Sequence, residues 1–186
     1  VTPLVASIVI PVIAIALIAI GTSIATGTAA ADLLVDLSPG AFAWLFLTNL
    51  IRGPLGEELG WRGYLLGEFQ ARYSIVSSSL IVGVIWGLWH LPLWLVSGYQ
   101  GINLLLYSLF FFVSIVAFSV VIGLIHGGKG GNLLYAILLH QMLNFSAQLV
   151  EIDLLVILGA SGVIYTVIAV VLGVIAARSR PTVAVA

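Results

Sequence analysis

The sequence predicts an all-α membrane protein, a polytopic bundle of about six transmembrane helices. Hydrophobic residues make up 62% of its 186 residues, and the mean hydropathy is +1.26. Long apolar runs recur along the whole chain, a pattern that is typical of helical membrane proteins rather than soluble domains. The apolar runs leave room for a single transmembrane domain over residues 1–186 and for no soluble domain.

The first half of the chain contains three apolar stretches close to the ~20 residues that a membrane helix needs. Residues 4–20 form the first span, with Pro11 as an expected bend. Residues 21–40 are small and polar and indicate a loop. The second span, 41–66, is the least typical because it carries several ionisable side chains, and the third covers 74–96.

The second half of the chain contains three further spans. Residues 102–125 are rich in Phe and carry no charge, which is typical of a helix surrounded by lipid or by other helices. A glycine-rich loop follows at 126–131, and we expect its first residue, His126, to be solvated. The fifth and sixth spans are predicted at 132–150 and 154–177.

The charges of the connections predict the orientation of the bundle. Basic residues occur in alternate connections and after the last span: Arg72, Lys129, and Arg178 with Arg180. Acidic residues occur in the intervening connections: Asp32 with Asp36, and Glu151 with Asp153. The positive-inside rule places the basic connections in the cytoplasm, so we expect both termini to be cytoplasmic.

Glycines recur at a spacing of four within the second and third spans. This spacing makes a smooth stripe along which two helix backbones can approach closely. The stripe residues are Gly56 with Gly60, Gly63 with Gly67, and Gly83 with Gly87.

Six polar side chains fall inside the predicted apolar slab, on three different spans. Charged groups in hydrocarbon cost at least ~2.5–3.5 kcal/mol each, so such residues face a protein interior or a wet cavity and indicate function. The six residues are Glu57, Glu58 and Arg62 on the second span, His90 on the third, and His140 with Asn144 on the fifth.

Helical geometry divides this set. Residues four apart share a helix face, so Glu58 can pair with Arg62, and Asn144 lies beside His140. Glu57 points about 100° away from Glu58 and is left without a local partner. Trp86 lies one turn before His90 and is interpreted as a packing residue. Arg52 is ambiguous, because it can either snorkel or pair with a carboxylate.

Two chemistries fit these residue types. Glu57 and one imidazole can take a proton from water, while the second imidazole and Asn144 donate hydrogen bonds to a developing oxyanion. Alternatively, Glu57, His90 and His140 can ligate a divalent metal such as zinc, whose bound water is then the nucleophile. A His-Glu-x-x-His helix is absent from the sequence, which excludes a zincin-type site. The sequence also has no cysteine and therefore no thiolate nucleophile or Cys-ligated metal.

Three motifs at these positions resemble those of the CPBP intramembrane proteases, the family of CAAX prenyl endopeptidases and of bacteriocin-processing or self-immunity (Abi-type) proteins. The first motif is Glu57-Glu58-x-x-x-Arg62, and the third is His140-x-x-x-Asn144. The second is Trp86-x-x-x-His90, in which Trp replaces the Phe of the family motif. The resemblance covers roughly residues 41–150.

The resemblance implies an intramembrane endopeptidase that hydrolyses a peptide bond of a membrane-associated, prenylated or bacteriocin-type peptide. It implies that Glu57 is the general base, assisted by His90, and that His140 and Asn144 form the oxyanion hole. Glu58 and Arg62 then support the site. The family is interpreted both as metal-dependent and as a metal-free glutamate type, so the expected cofactor is either none or a divalent metal.

Other functions remain open at the level of sequence. A scaffold or immunity protein of the same fold would bind a membrane-protein partner without cleaving it. A small transporter with a carboxylate–histidine proton relay would show inverted repeats, and the sequence contains no convincing repeat. The expected partners are therefore the lipid bilayer and a peptide or membrane protein, whereas the net charge of −1 makes nucleic acid an unsuitable partner. The short bundle is typical of a prokaryotic inner-membrane protein.

Overall fold

A computed structural model describes residues 3–178 of the chain. Over these residues the secondary structure is helical, and the predicted all-α fold is confirmed. The helices are α1 (Pro3–Thr26), α2 (Pro39–Arg52), α3 (Pro54–Gly60), α4 (Leu66–Gln70), α5 (Ile75–Trp89), α6 (Leu91–Leu95), α7 (Gly101–His126), α8 (Leu133–Ala147) and α9 (Leu154–Arg178). A short 3-10 turn, Ala30–Leu33, precedes α2, and a π-helical turn, Trp61–Leu65, joins α3 to α4. Arg180, one of the charges used to predict orientation, lies outside the described residues.

Four helical segments of the described residues are long and apolar enough to cross a bilayer. They are Pro3–Thr26, Ile75–Leu95, Gly101–His126 and Leu154–Arg178. The fifth predicted span corresponds to α8, which is apolar but has only 15 residues. The second predicted span is not one straight helix but a broken helical run, made of α2, α3, the π-helical turn and α4.

The break in the second span follows from its sequence. Pro54 has no backbone N–H to donate and restricts the residue before it, so a helix cannot run straight through this point. Gly53 takes φ −137° and ψ −84°, outside the helical region, and α3 restarts with Pro54 in its first turn. The break turns α3 away from the axis of α2.

Helix α7 lies at the centre of the bundle and packs against α5 on one side and α9 on the other. Small residues allow the α5 contact, because a Cβ on Gly83 would lie 2.8 Å from Cβ of Ser119 and 3.0 Å from Cα of Val116. Ser119 also donates a hydrogen bond to the carbonyl of Ser79 (2.8 Å). The glycine stripe predicted at Gly83 and Gly87 is therefore confirmed as a close helix contact.

The other predicted stripe glycines do not serve this purpose. A Cβ on Gly56, Gly60 or Gly67 would meet no atom within 4 Å, and one on Gly63 would make only ordinary contacts. The prediction of close helix packing is wrong here: Gly56 and Gly60 line an open groove, and no described helix packs closely on Gly63 or Gly67.

The two acidic connections lie side by side at one end of the bundle. The backbone N–H of Val35 donates to the carbonyl of Leu149 (3.0 Å), and that of Glu151 donates to Leu33 (2.8 Å). The two acidic connections therefore lie at the same end of the bundle, as the alternation of acidic and basic connections along the sequence predicts. Which side of the membrane this end faces stays a prediction.

The expectation that His126 is solvated is wrong. His126 is the last residue of α7 and is only 5% exposed. Gly127 ends the helix in the left-handed region (φ 88°), which a glycine adopts without strain. The chain then turns back, and the N–H of Asn132 donates to the carbonyl of His126. The glycine-rich loop therefore covers the side chain instead of exposing it.

Candidate active site

Glu58 and Arg62 form the buried ion pair that their spacing predicted. Nη1 of Arg62 lies 2.9 Å from Oε1 and 3.1 Å from Oε2 of Glu58. Neither residue is reached by solvent, since Glu58 is 0% exposed and Arg62 is 3% exposed. The π-helical turn Trp61–Leu65 contains Arg62 and widens the helix where this side chain turns inward.

Glu58 also holds His140, a contact between distant parts of the chain. Nδ1 of His140 lies 2.9 Å from Oε1 of Glu58. A carboxylate oxygen only accepts hydrogen bonds, so this contact places a proton on Nδ1. The remaining ring nitrogen of His140, Nε2, is then free for other partners. One buried carboxylate thus links α3 to the π-helical turn and to α8.

Glu57, for which the sequence predicts no local partner, is held by a distant residue on α5, Trp86. The indole Nε1–H of Trp86 donates to Oε2 of Glu57 over 2.7 Å. The prediction that Trp86 is only a packing residue is therefore wrong. The sequence indicates this role only through the Trp in place of Phe, because a phenyl ring has no N–H to donate.

The Trp86 ring also contacts the other charged groups of the site. The Arg62 guanidinium carbon lies 4.6 Å from the centre of this ring, a cation–π contact. The His140 ring meets it edge-on, with the ring centres 5.0 Å apart. Trp86 is 2% exposed and belongs to the main hydrophobic core. This one fixed side chain therefore orients Glu57 and packs against both Arg62 and His140.

His90 lies at the junction between α5 and α6, where Pro92 in the first turn of α6 separates the two helices. Its Nδ1 is 2.8 Å from the carbonyl oxygen of Trp86. Because a carbonyl only accepts, Nδ1 carries the proton and Nε2 keeps a lone pair. The rings of Phe111 and Trp89 pack against the His90 ring, with centres 4.9 and 5.0 Å from its centre.

Asn144 lies one turn after His140 on α8 and comes close to Glu57 at the break before α3. A Cβ on Gly53 would lie 3.4 Å from Oε1 of Glu57 and 3.7 Å from Nδ2 of Asn144. The absence of a side chain on Gly53 therefore gives both polar groups room. The second oxygen of Glu57, Oε1, faces this space while Oε2 is held by Trp86.

Two amide residues at the same place were not singled out from the sequence. Nε2 of Gln148 donates to Oδ1 of Asn49 (2.8 Å) and to the carbonyl of Asn144 (3.0 Å). Asn49 is on α2 and Gln148 follows α8, so the pair fixes these helices together. Residues 99 positions apart give no sequence pattern by which this contact could be found.

The catalytic residues expected from the sequence line one cavity of about 370 Å³. The structure brings Glu57, His90, His140 and Asn144 to this wall together with Trp86, Asn49 and Gln148. Glu58 and Arg62 are buried and do not line this cavity, and Glu58 reaches it only through its contact with His140. The individual catalytic roles stay predictions.

The residues do not form a ready metal site. Within residues 3–178, no three His, Asp or Glu side chains stand close enough together to hold a metal ion. Nδ1 of both histidines and Oε2 of Glu57 already have protein partners. No step of the reaction is therefore assigned to a metal, and dependence on a divalent ion stays a prediction.

The fold and the site together define a class of protein. It is a multi-pass integral membrane protein whose helices enclose a cavity lined by glutamate, histidine and asparagine side chains. The sequence model of the type II CAAX prenyl endopeptidase Rce1-like family matches residues 39–146. This chain belongs to that family. The match begins at the first residue of α2 and ends on α8, and so contains every polar residue of the predicted site.

One curated relative is the CAAX prenyl protease 2 of Methanococcus maripaludis. It is 33% identical to this chain over 120 residues, which make up 62% of this chain and 44% of the relative. The chain therefore spans less than half the length of this relative. The bacteriocin and immunity branch of the resemblance is not tested by these similarities.

Proposed function

We propose that this protein is an intramembrane endopeptidase that hydrolyses a peptide bond of a membrane-associated or prenylated peptide. The observation that carries the proposal is the shared cavity, in which a carboxylate, two imidazoles and a carboxamide converge from three parts of the chain. Membership of the Rce1-like family supports the same activity.

Glu57 is the proposed general base. Trp86 holds Oε2, so Oε1 keeps its lone pairs for a water molecule in the cavity. His90 presents the lone pair of Nε2 and accepts the second hydrogen bond from that water. Glu57 removes one proton as the water oxygen bonds to the carbonyl carbon of the substrate.

His140 and Asn144 are the proposed oxyanion donors. Glu58 fixes the His140 ring through Nδ1, and Gln148 fixes the backbone of Asn144. Because Nδ1–H is donated to Glu58, this role uses the doubly protonated imidazolium of His140. Its Nε2–H and the Nδ2–H of Asn144 donate to the carbonyl oxygen as it gains negative charge. Glu57 then returns its proton to the leaving amine, the C–N bond breaks, and the products are a carboxylate and an amine.

The test uses purified protein and a panel of membrane-tethered peptides, prenylated and unprenylated, with the products identified by mass spectrometry. In water enriched in ¹⁸O, hydrolysis places the label in the new carboxyl group. We expect Glu57→Gln to lower kcat roughly 10²- to 10⁴-fold, the usual contribution of a general base. The matched control is Glu68→Gln, because Glu68 is an exposed residue of α4. Equal cleavage by the wild type and Glu57→Gln would refute the assigned base.

A further inference from the structure

A second opening, here called the lateral groove, shares Glu57 with the catalytic cavity. It has a volume of about 500 Å³, within the range of about 300–1,000 Å³ that is common for ligand sites. Glu57 contributes to both walls, so the proposed base borders both spaces. The groove is lined by Ile51, Arg52, Gly53, Gly56, Glu57, Gly60, Trp61, Tyr64, Leu65 and Trp89.

The lateral groove has features of a site for a short apolar peptide. Gly56 and Gly60 leave its floor open, since a Cβ on either would meet no other atom within 4 Å. Trp61 and Trp89 contact each other edge-on, with ring centres 6.1 Å apart, and Tyr64 adds a third aromatic ring. Aromatic walls of this kind bind apolar side chains through large contact areas.

Arg52 is the positively charged residue of this groove, and no acidic side chain of residues 3–178 forms an ion pair with it. It is the last residue of α2, the only charged residue of that helix, and is exposed. Within the described residues its side chain makes no ion pair and no hydrogen bond, whereas the other arginine of this helical run, Arg62, pairs with Glu58 through Nη1. A guanidinium without a protein partner at the wall of an aromatic, apolar groove can hold a ligand with negative charge.

We propose that Arg52 binds the C-terminal carboxylate of the substrate peptide, a specificity that rests on the proposed function. A guanidinium presents two parallel N–H groups that match a carboxylate. The main-chain carboxylate is the one anion that every linear peptide carries at its end, whatever its side chains. With this group at Arg52, apolar residues lie along the aromatic walls and the bond to be cleaved reaches Glu57.

The experiment measures the Kd of fluorescent peptides on the Glu57→Gln protein, so that the measurement needs no turnover. The peptides share one acyl anchor and one apolar sequence. The first peptide ends in a free carboxylate, and the second ends in a carboxamide. The third also ends in a carboxamide, but its last residue is Asp, so its carboxylate belongs to a side chain. We expect the free acid to bind roughly tenfold to a hundredfold more tightly than the plain carboxamide, as for a charge-assisted hydrogen bond.

Variants of the same protein assign this preference to Arg52. Arg52→Gln is expected to reduce the preference for the acid to less than about twofold while the Kd of the carboxamide stays unchanged. Arg52→Lys keeps the charge and part of the preference. Arg72→Gln, which changes an exposed arginine outside the groove, keeps the full preference. The preference for the acid is first measured on protein that retains Arg52. The test therefore does not depend on whether any one Arg52 variant folds.

Equal Kd values for the acid and the carboxamide would overturn the carboxylate site. So would an Asp-carboxamide peptide that binds as tightly as the free acid, because the ligand would then be a side chain. The two proposals fail differently. Absence of cleavage by the wild type with the acid preference intact refutes the endopeptidase alone, whereas cleavage of peptides without acid preference refutes the role of Arg52 alone.

Discussion

The buried pair of Glu58 and Arg62 gives the sharpest prediction about stability. Replacing Arg62 with Met keeps much of the apolar stem but removes both hydrogen bonds to the Glu58 carboxylate, at 2.9 and 3.1 Å. Glu58 is 0% exposed, so water cannot replace the lost partner, and one contact to His140 remains. Breaking a buried ion pair from one side typically costs about 3–5 kcal/mol.

The assay is thermal unfolding in detergent, followed by tryptophan fluorescence. For a chain of this size, 1 kcal/mol changes Tm by about 2–4 °C, so Arg62→Met is expected to lower Tm by roughly 6–20 °C. Arg72→Met is the control, because Arg72 is exposed and its loss should change Tm by no more than a degree or two.

A double variant separates the lost charge pair from lost packing. In Glu58→Gln with Arg62→Met the buried site carries no unpaired charge, so we expect most of the lost Tm to return. Glu58→Gln alone leaves Arg62 buried without its counterion and should be about as unstable as Arg62→Met. The reasoning is refuted if Arg62→Met behaves like Arg72→Met, or if the two single effects simply add in the double variant.

Three further predictions concern helix packing, helix proximity and metal. Gly83→Ala should destabilise by about 1–3 kcal/mol in the same melting assay, because the new Cβ overlaps α7, whereas Gly21→Ala, an open helical position, should be neutral or stabilising. Because the sequence has no cysteine, Asn49→Cys with Gln148→Cys provides the only thiols, and a short bifunctional thiol reagent should join them within the folded chain; failure to do so would contradict the contact between α2 and α8. If the site is of the glutamate type, a chelator should leave kcat unchanged, whereas loss of activity that zinc restores would establish the metal-dependent alternative.

Much of the architecture follows from composition and spacing. Apolar length gives the long helices, and the i, i+4 rule gives the contact of Glu58 with Arg62 and the place of Asn144 beside His140. The three short motifs pointed to polar residues that the structure brings to one cavity or packs beside it, because polar groups in an apolar chain are costly without a partner.

The remainder depends on tertiary contacts that local patterns do not contain. The sequence indicates that Pro54 can disturb a helix, but not that the helix breaks at Gly53 and opens a groove beside Glu57. The bond from Trp86 to Glu57 joins residues 29 positions apart, and its existence depends on the packing of two helices. The burial of His126 likewise depends on how a flexible glycine-rich sequence turns back after α7.

The most direct test of the shared site is a double-mutant cycle on kcat with Glu57→Gln, His140→Asn and the combination. Asn at position 140 can still donate to Glu58, so the change removes the Nε2 group without leaving that carboxylate alone. Groups that act on one transition state are strongly non-additive. We expect the double variant to be no more than about threefold slower than the slower single variant. Rate losses that multiply would show that the two residues act independently and would contradict a single active site.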